Sequence, residues 1–315
     1  MASKVKTIRV ALDWTPNTIH SGLYLAHAQS LYSDAGINVE LLAPDPSYSK
    51  TPAKRLEAGE VDLAICPSDS VIAYAESNKP DMKLQAIYAI LQKDASAIVA
   101  TKDGLKRPRD LEDGRYGSYN ARYEDHIVKA MVSNDGGDAS RLEIVSDKGK
   151  LSLFEELKKG NVDATWVFLP WEGVDAQMSD VALNIFRTED SGIPYGYSPV
   201  IARNTAKSLS DDVLSKFVEA TRKGYAMAIE RPEAAVDALK DQCDPERSSD
   251  FLLSSQQDIN QYYSDGSSLG SMKLERWQTW VDWLKSKNLV AKEELSSKEL
   301  FSNQYFSSAS SSSVA

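Results

Sequence analysis

The chain has little cysteine, no long apolar run and no excess of basic charge. Only Cys66 and Cys243 occur among its 315 residues, and they are too few for a disulfide framework and lack metal-ligand spacing. No apolar stretch approaches the ~18 residues that a membrane-spanning helix needs. The net charge of −10 provides no basic stripe for nucleic acid or an anionic membrane. These absences predict a soluble globular protein whose partner is a small molecule.

A secretory signal is also missing from the N-terminal sequence. The first six residues lead directly into an apolar strand, with neither an apolar h-region nor a small-residue cleavage site. With so little cysteine, this predicts a cytoplasmic protein; a periplasmic or secreted location would require a trimmed N-terminus. We expect a monomer with no cofactor, no metal and no membrane insertion, and the sequence leaves a transporter partner open.

Strands and helices alternate along the first hundred residues, which is typical of an α/β fold. The strands are predicted at Thr7–Leu12, Ile37–Leu42 and Val61–Ile65. After the second half of the chain, further helices show the apolar spacing of one buried face. These helices are predicted at Asp211–Ile229, Pro232–Leu239, Ser249–Tyr263 and Lys273–Lys287.

The chain contains an internal repeat. A helix-to-strand signature, Leu56-x-x-Gly59-x-Val61-Asp62, recurs as Leu157-x-x-Gly160-x-Val162-Asp163, and Ser96-Ala-Ile-Val-Ala100 is echoed by Ser198-Pro-Val-Ile-Ala202. Two matches at nearly the same spacing predict two similar lobes with crossovers near Thr101–Arg107 and Ile193–Pro199. We therefore expect residues 1–101 and 199–301 in lobe 1, residues 102–198 in lobe 2, and a disordered Ser-rich tail at 302–315.

Four strand ends would meet between these lobes, at the edge where open α/β sheets bind ligands. They offer flat aromatic faces, carboxylates and neutral hydrogen-bonding groups, which suit a planar heterocycle that bears an amine. The one basic residue placed there is Arg122. The predicted ligand-binding residues are Trp14, Asn17, His20, Ser68, Asp69, Tyr119, Asn120, Trp171 and Glu172.

Some of these residues also fit purely structural roles. Ser68 and Asn120 are good helix N-caps, and Asp69 falls in a first helical turn, where the helix dipole favours an acid. Another aromatic group is predicted to be a packing stripe on one helix. It comprises Trp277, Trp280 and Trp283.

Catalytic groups are scarce. Of the three histidines, His20, His27 and His126, only His20 falls near the predicted cleft, and none is paired in sequence with a nucleophile or a metal-ligand partner. No Gly-rich phosphate loop follows a strand. The residues therefore favour a binding protein over an enzyme, with His20 as the catalytic candidate if the chain is an enzyme.

One long motif and several shorter ones carry a resemblance to a known family. They are the run from Asp13 to Ala26, Gly36-Ile37-x-Val39-Glu40, the Leu56 signature, Asn134 to Gly137, and Trp171-Glu172-Gly173. In these motifs, over roughly residues 7–240, the chain resembles the periplasmic-binding-protein-like family of thiamine pyrimidine precursors. The resemblance implies a type II fold: two lobes and two crossovers, each lobe a mixed, mostly parallel sheet flanked by helices. It also implies a ligand such as formylaminopyrimidine or hydroxymethylpyrimidine.

That family has two branches. One comprises bacterial solute-binding proteins, which deliver precursors to an importer. The other is the fungal hydroxymethylpyrimidine phosphate synthase, which builds the pyrimidine from pyridoxal phosphate and one of its own histidines, with iron and a cysteine-rich run. Here the position of that histidine reads Ser70, the expected cysteine run near Ile193–Pro199 has no cysteine, and the synthase's phosphate loop is replaced by Ser118-Tyr-Asn-Ala-Arg122.

These three differences lead us to expect the binding branch. Two alternatives stay open. One is a synthase-like enzyme of thiamine biosynthesis that uses His20, and the other is a sulfonate- or taurine-binding protein, which would need a more basic cleft.

Overall fold

Two five-stranded sheets form the framework of the chain, which a computed structural model describes over residues 6–77, 79–101, 103–146, 152–207, 209–266, 269–292 and 294–306. The strands are β1 Lys6–Ala11, β2 Ile37–Leu42, β3 Leu63–Cys66, β4 Leu84–Ala89, β5 Ser96–Thr101, β6 Arg115–Ser118, β7 Glu143–Ser146, β8 Ala164–Phe168, β9 Leu183–Phe186 and β10 Val200–Asn204. The helices are α1 Ser21–Ala28, α2 Leu31–Asp34, α3 Pro52–Glu57, α4 Ser68–Glu76, α5 Glu124–Asn134, α6 Leu153–Lys158, α7 Val174–Met178, α8 Asp211–Glu230, α9 Pro232–Leu239, α10 Ser249–Tyr263 and α11 Leu274–Ser286.

Both sheets have the same topology. The strand order is β2-β1-β3-β10-β4 in the first sheet and β7-β6-β8-β5-β9 in the second. In each sheet the fourth strand runs antiparallel to both of its neighbours, while the first three strands are parallel. Each lobe is therefore a mixed, mostly parallel sheet, and the predicted two-lobed α/β fold is confirmed.

The first crossover lies earlier in the chain than predicted. β5 pairs with β8 and β9, so residues 96–101 belong to the second sheet and their predicted place in lobe 1 is wrong. The chain passes between the lobes at residues 90–95, not at Thr101–Arg107, and returns at residues 187–199. The error arises from β4, which the prediction did not include. β4 is buried almost throughout and so lacks the alternation of apolar and polar residues that marks a half-exposed strand.

The internal repeat is visible as a duplicated ion pair. Arg9 Nε donates to Asp62 Oδ2 at 3.0 Å, and Arg115 Nε donates to Asp163 Oδ2 at 3.1 Å. Each arginine backbone N–H donates to the same carboxylate, and each guanidinium reaches the carbonyl of the signature glycine. Both glycines have a φ of 74°, a left-handed conformation that glycine adopts at little cost. The signature therefore marks the same helix-to-strand turn in both lobes.

Arg276 on α11 joins the two crossovers. Its guanidinium donates to the backbone carbonyl of Gln92 in the first crossover and, at 2.8 Å, to that of Gly196 in the second. Thr188 Oγ1 adds a link between the crossovers by donating to Asp94 Oδ2 at 2.9 Å. The segments that connect the lobes are therefore fixed to each other and to a helix outside the sheets.

The first residues of the predicted disordered tail are ordered. The N–H of Ala86 donates to the carbonyl of Leu300, and the N–H of Ser302 donates to the carbonyl of Ala86, both at 2.9 Å. This segment therefore lines the outer edge of β4. Tyr305 is only 1% exposed, and Phe306 stacks on a core tyrosine. The two aromatic residues anchor a segment whose serine content suggested disorder, and the rest of the tail lies outside the described residues.

We predict that Tyr305→Ala lowers the free energy of unfolding by roughly 3 kcal/mol, because it removes a large buried side chain. Tyr305→Phe keeps the ring and should retain most of the stability. Urea denaturation followed by tryptophan fluorescence measures both variants. If Tyr305→Ala unfolds at the same urea concentration as the unmodified chain, the segment is not part of the folded core.

Candidate functional site

The loop after β1 forms a tight turn that is held by Asn17. The Oδ1 atom of Asn17 accepts the N–H of Ile19 at 2.8 Å, and its Nδ2 donates to the carbonyl of Thr15 at 3.0 Å. Asn17 is buried. Its amide therefore holds the shape of the turn, and the expected contact of Asn17 with a ligand stays a prediction.

His20 lies fully buried beneath this turn. The backbone N–H of Asn17 donates to His20 Nδ1 at 3.3 Å, so Nδ1 carries no proton. Nε2 then carries the ring proton and donates to Asp13 Oδ1 at 2.8 Å. The neutral imidazole therefore orients the Asp13 carboxylate at the carboxyl end of β1.

Trp14 makes an aromatic contact between the lobes. Its ring lies 5.9 Å from that of Tyr48, in the same lobe, and 5.8 Å from that of Tyr119, in the second lobe, with an interplanar angle of 85° to Tyr119. This edge-to-face geometry is a favourable aromatic contact. Tyr119 therefore occupies one approach to the Trp14 ring.

A π-helical turn after β8 carries Trp171 and Glu172; such turns are frequent at functional sites. The Trp171 ring packs edge to face on Phe251 of α10 at 4.8 Å, and the guanidinium carbon of Arg247 lies 5.6 Å from the Trp171 ring. Glu172 Oε2 accepts the N–H of Phe168 at 2.9 Å, and burial raises the pKa of the Glu172 carboxyl to about 7. Trp171 therefore joins the second lobe to α10, whereas Glu172 is a half-buried acid that can exchange a proton near neutral pH.

Asp69 is the centre of a second group that spans the lobes, which we call the Asp69 cluster: Asp69, Ser68, Trp280, Tyr123 and Tyr195. The indole N–H of Trp280 donates to Asp69 Oδ1 at 2.9 Å. The Trp280 ring meets Tyr123 and Tyr195 edge to face, at 6.4 and 5.3 Å. Burial raises the pKa of Asp69 to about 7. Within the described chain, the buried hydroxyls of Ser68 and Tyr123 have no hydrogen-bond partner, so both can bond to a ligand.

The structure thus places the predicted site residues in different settings. Trp14 contacts Tyr119, His20 bonds to Asp13, which the prediction did not include, and Ser68 and Asp69 belong to the Asp69 cluster. Asn120 is exposed on the loop before α5, with a φ of 56°. The prediction did not include Tyr48, Tyr123 and Trp280, because no local pattern separates them from core or surface aromatics.

A metal site does not emerge from the same residues. No group of three His, Cys, Asp or Glu side chains in the described ranges is arranged to hold an ion. Cys66, at the end of β3, is buried, and burial raises the pKa of its thiol to about 12. A surface cavity of about 290 Å³ lies on the second lobe, near Pro108 and Arg187, and none of the predicted site residues lines it.

Two mixed sheets with a reversed fourth strand, joined by two crossovers beside the candidate site, define a two-lobed protein of the periplasmic-binding-protein fold. An alkanesulfonate-binding protein from Xanthomonas axonopodis pv. citri, solved with bound MOPS, shares this fold with a TM-score of 0.69 and 13% identity, over 95% of this chain and 99% of that one. The model of the family described as NMT1/THI5 like matches residues 17–235. The chain belongs to that family.

Two curated relatives represent the two branches of the resemblance. A formylaminopyrimidine-binding protein from Halalkalibacterium halodurans is 23% identical over 295 residues, which cover 89% of this chain and 85% of the relative. A 4-amino-5-hydroxymethyl-2-methylpyrimidine phosphate synthase from Legionella pneumophila is 21% identical over 244 residues, which cover 76% and 74%. The family predicted from the motifs is therefore confirmed, and the stronger match is to the binding branch.

We predict that Asp69 makes stability depend on pH. Its pKa of about 7 in the folded chain lies above the value of about 3.9 for an unfolded aspartate, so the folded state binds this proton more tightly. The protonated Asp69 carboxyl therefore adds its full amount to the free energy of unfolding below about pH 4, and this amount is lost as the pH rises to about 7. Asp69→Asn should reduce the fall in unfolding free energy between these limits by roughly 2–4 kcal/mol.

Urea denaturation at a series of pH values measures this difference. Asp34→Asn, which removes an exposed acid on α2, should leave the pH profile unchanged. Glu172 contributes in the same direction and remains in both variants. Parallel profiles for Asp69→Asn and the unmodified chain would contradict the assignment.

Proposed function

We propose that the chain binds a small, planar, amine-bearing heterocycle, a thiamine pyrimidine precursor, between its two lobes. The observation that carries the proposal is the pairing of a buried acid with aromatic rings where the lobes meet. The indole N–H of Trp280 donates to the Asp69 carboxyl. Burial raises the pKa of Tyr119, and the charge of the half-buried Glu172 raises it further. The formylaminopyrimidine-binding relative supports the same class of ligand.

The chemistry of an aminopyrimidine matches a carboxyl group whose pKa is near 7. A protonated carboxyl donates its O–H to a ring nitrogen and accepts a hydrogen from the neighbouring amine. An ionised carboxylate pairs equally well with a ring that carries the proton. We assign this role first to Asp69, with the hydroxyls of Ser68 and Tyr123 completing the polar contacts, and second to Glu172.

The aromatic part of the ligand would stack on Trp14. Tyr119 occupies one approach to that ring, and a ligand that stacks on this side of Trp14 would enter when the lobes separate and be enclosed when they close again. We propose that the lobes move about the two crossovers, residues 90–95 and 187–199, which is the hinge mode of such folds. His20 would act through Asp13, by fixing the position of its carboxylate.

The two alternatives fit the site less well. A synthase that uses His20 would need a free imidazole, but both of its ring nitrogens are hydrogen-bonded, one to Asn17 and one to Asp13. For a sulfonate-binding protein, Asp13, Asp69 and Glu172 would oppose the anion, and Arg122 is exposed. The shared fold of the alkanesulfonate-binding protein, at 13% identity, carries no ligand assignment to this chain.

The wider biological setting stays a prediction. No helix in the described ranges is both long and apolar enough to cross a membrane. The comparisons support neither the cytoplasmic location nor the monomeric state expected from the sequence, and a transporter partner is unconfirmed.

Trp14→Ala should weaken the binding of formylaminopyrimidine by about 2 kcal/mol or more, roughly thirtyfold in dissociation constant, because a buried aromatic anchor is lost. Trp277→Phe is the matched control, since Trp277 is buried and stacks on Phe301; its dissociation constant should stay within about threefold of the unmodified value. Isothermal titration calorimetry measures both. An unchanged affinity in Trp14→Ala would remove Trp14 from the site.

Incubation with iron(II) and pyridoxal phosphate distinguishes binding from synthase chemistry. We expect no change in the mass of the tryptic peptide that carries His20, because both ring nitrogens are hydrogen-bonded within the chain. Native mass spectrometry of protein purified gently from cells should show a bound aminopyrimidine. A modified histidine, or co-purified iron with a pyridoxal phosphate adduct, would favour the synthase instead.

A further inference from the structure

The loop between β6 and α5 turns its backbone N–H groups inward. The N–H of Tyr119 donates to Glu124 Oε1 at 3.1 Å, and the N–H of Ala121 donates to Glu124 Oε2 at 3.0 Å. Between them, the N–H of Asn120 donates to Ser118 Oγ at 3.0 Å. The left-handed conformation of Asn120 lets consecutive N–H groups converge on one side of the chain. All three N–H groups therefore have acceptors in the segment itself.

The Glu124 side chain accepts the hydrogen bonds that a bound anion would accept in this turn. Its Oε1 also accepts the hydroxyl of Tyr116 at 2.8 Å, and the residue is only 4% exposed. A second acid, Asp125, accepts the hydroxyl of Ser118 at 2.6 Å. Converging N–H groups at the start of a helix bind phosphate and sulfate in other proteins. Here a carboxyl group of the chain fills that place. Burial raises the pKa of Glu124, while the hydrogen bonds from Ala121, Tyr116 and Tyr119 favour its charged form, and that charge repels a second anion.

The turn faces the interface between the lobes. Tyr119 contacts Trp14 across the interface at 5.8 Å, and Tyr123, which directly precedes Glu124, contacts Trp280 at 6.4 Å. An anionic group on a ligand between the lobes would therefore lie close to a turn whose donors are already used.

We propose that Glu124 determines ligand specificity by acting as an internal anion: it occupies the N–H groups of Tyr119 and Ala121 and excludes ligands that carry a phosphate or a sulfonate. The site then selects the unphosphorylated, neutral or cationic form of the heterocycle. This inference rests on the proposed function for the identity of that heterocycle, but the exclusion of anions by the turn can be tested separately.

The experiment is a set of calorimetric titrations on the full chain. The probes are inorganic phosphate, 4-amino-5-hydroxymethyl-2-methylpyrimidine and the phosphate ester of that pyrimidine. The unmodified chain should bind the pyrimidine and reject both phosphates. Glu124→Ala frees the N–H groups of Tyr119 and Ala121, so its affinity for inorganic phosphate and for the ester should rise about tenfold or more.

Two further variants keep the test decisive. Glu124→Gln retains the side-chain volume and removes the charge, so it should fold even if Glu124→Ala does not, and should show a smaller gain of the same sign. Glu143→Gln removes an exposed acid from the same lobe and should gain nothing. No gain in either Glu124 variant, or an equal gain in Glu143→Gln, would overturn the inference.

The same titrations separate this inference from the proposed function. If the unmodified chain does not bind the pyrimidine but the Glu124 variants gain phosphate affinity, the proposed ligand is wrong and the role of Glu124 stands. If the unmodified chain binds the pyrimidine and the Glu124 variants gain nothing, the proposed ligand stands and the role of Glu124 is wrong.

Discussion

Between the lobes, two buried carboxyl groups and one half-buried carboxyl group accept hydrogen bonds from N–H and O–H donors. Asp69 accepts from an indole, Glu124 from two backbone N–H groups and a phenol, and Glu172 from a backbone N–H. Removing a carboxylate from water costs several kcal/mol, and dipoles offset only part of this cost. The π-helical turn and the inward-facing loop supply these dipoles. A ligand with further N–H or O–H donors would offset the remaining cost of removing these carboxylates from water. A donor-bearing ligand therefore suits this site.

Aromatic contacts give the two lobes a common interface. Trp14 meets Tyr119, and Trp280 meets Tyr123, and in both pairs the rings come from different parts of the chain and touch edge to face. Such pairs stabilise an interface by about 0.5–1.5 kcal/mol each, which is small enough to be exchanged for contacts with a ligand ring. In the proposed function, the rings that join the lobes are also the surfaces on which the heterocycle stacks.

Features that depend on neighbouring residues could be predicted from the sequence. The bounds of α9 and α10 agree with the prediction, and the repeated signature marks the same turn in both lobes. Features that depend on distant residues could not. Trp280 and Asp69 are 211 positions apart, so helical spacing alone assigned Trp280 to a packing stripe. β4 was overlooked because its two faces are buried, and this single omission displaced the predicted crossover.

Each sheet contains one strand from a distant part of the chain, because β5 lies in the second sheet and β10 in the first. This arrangement has a consequence for biosynthesis. In the first sheet, β10 separates β3 from β4, yet it leaves the ribosome only after the whole second lobe has been made. Until then β3 and β4 each have an edge without its final partner, and such edges are prone to pair with other chains. Pairing between strands so distant in sequence is slow. The nascent chain therefore passes through a stage in which the first lobe carries two strand edges that only β10 covers later.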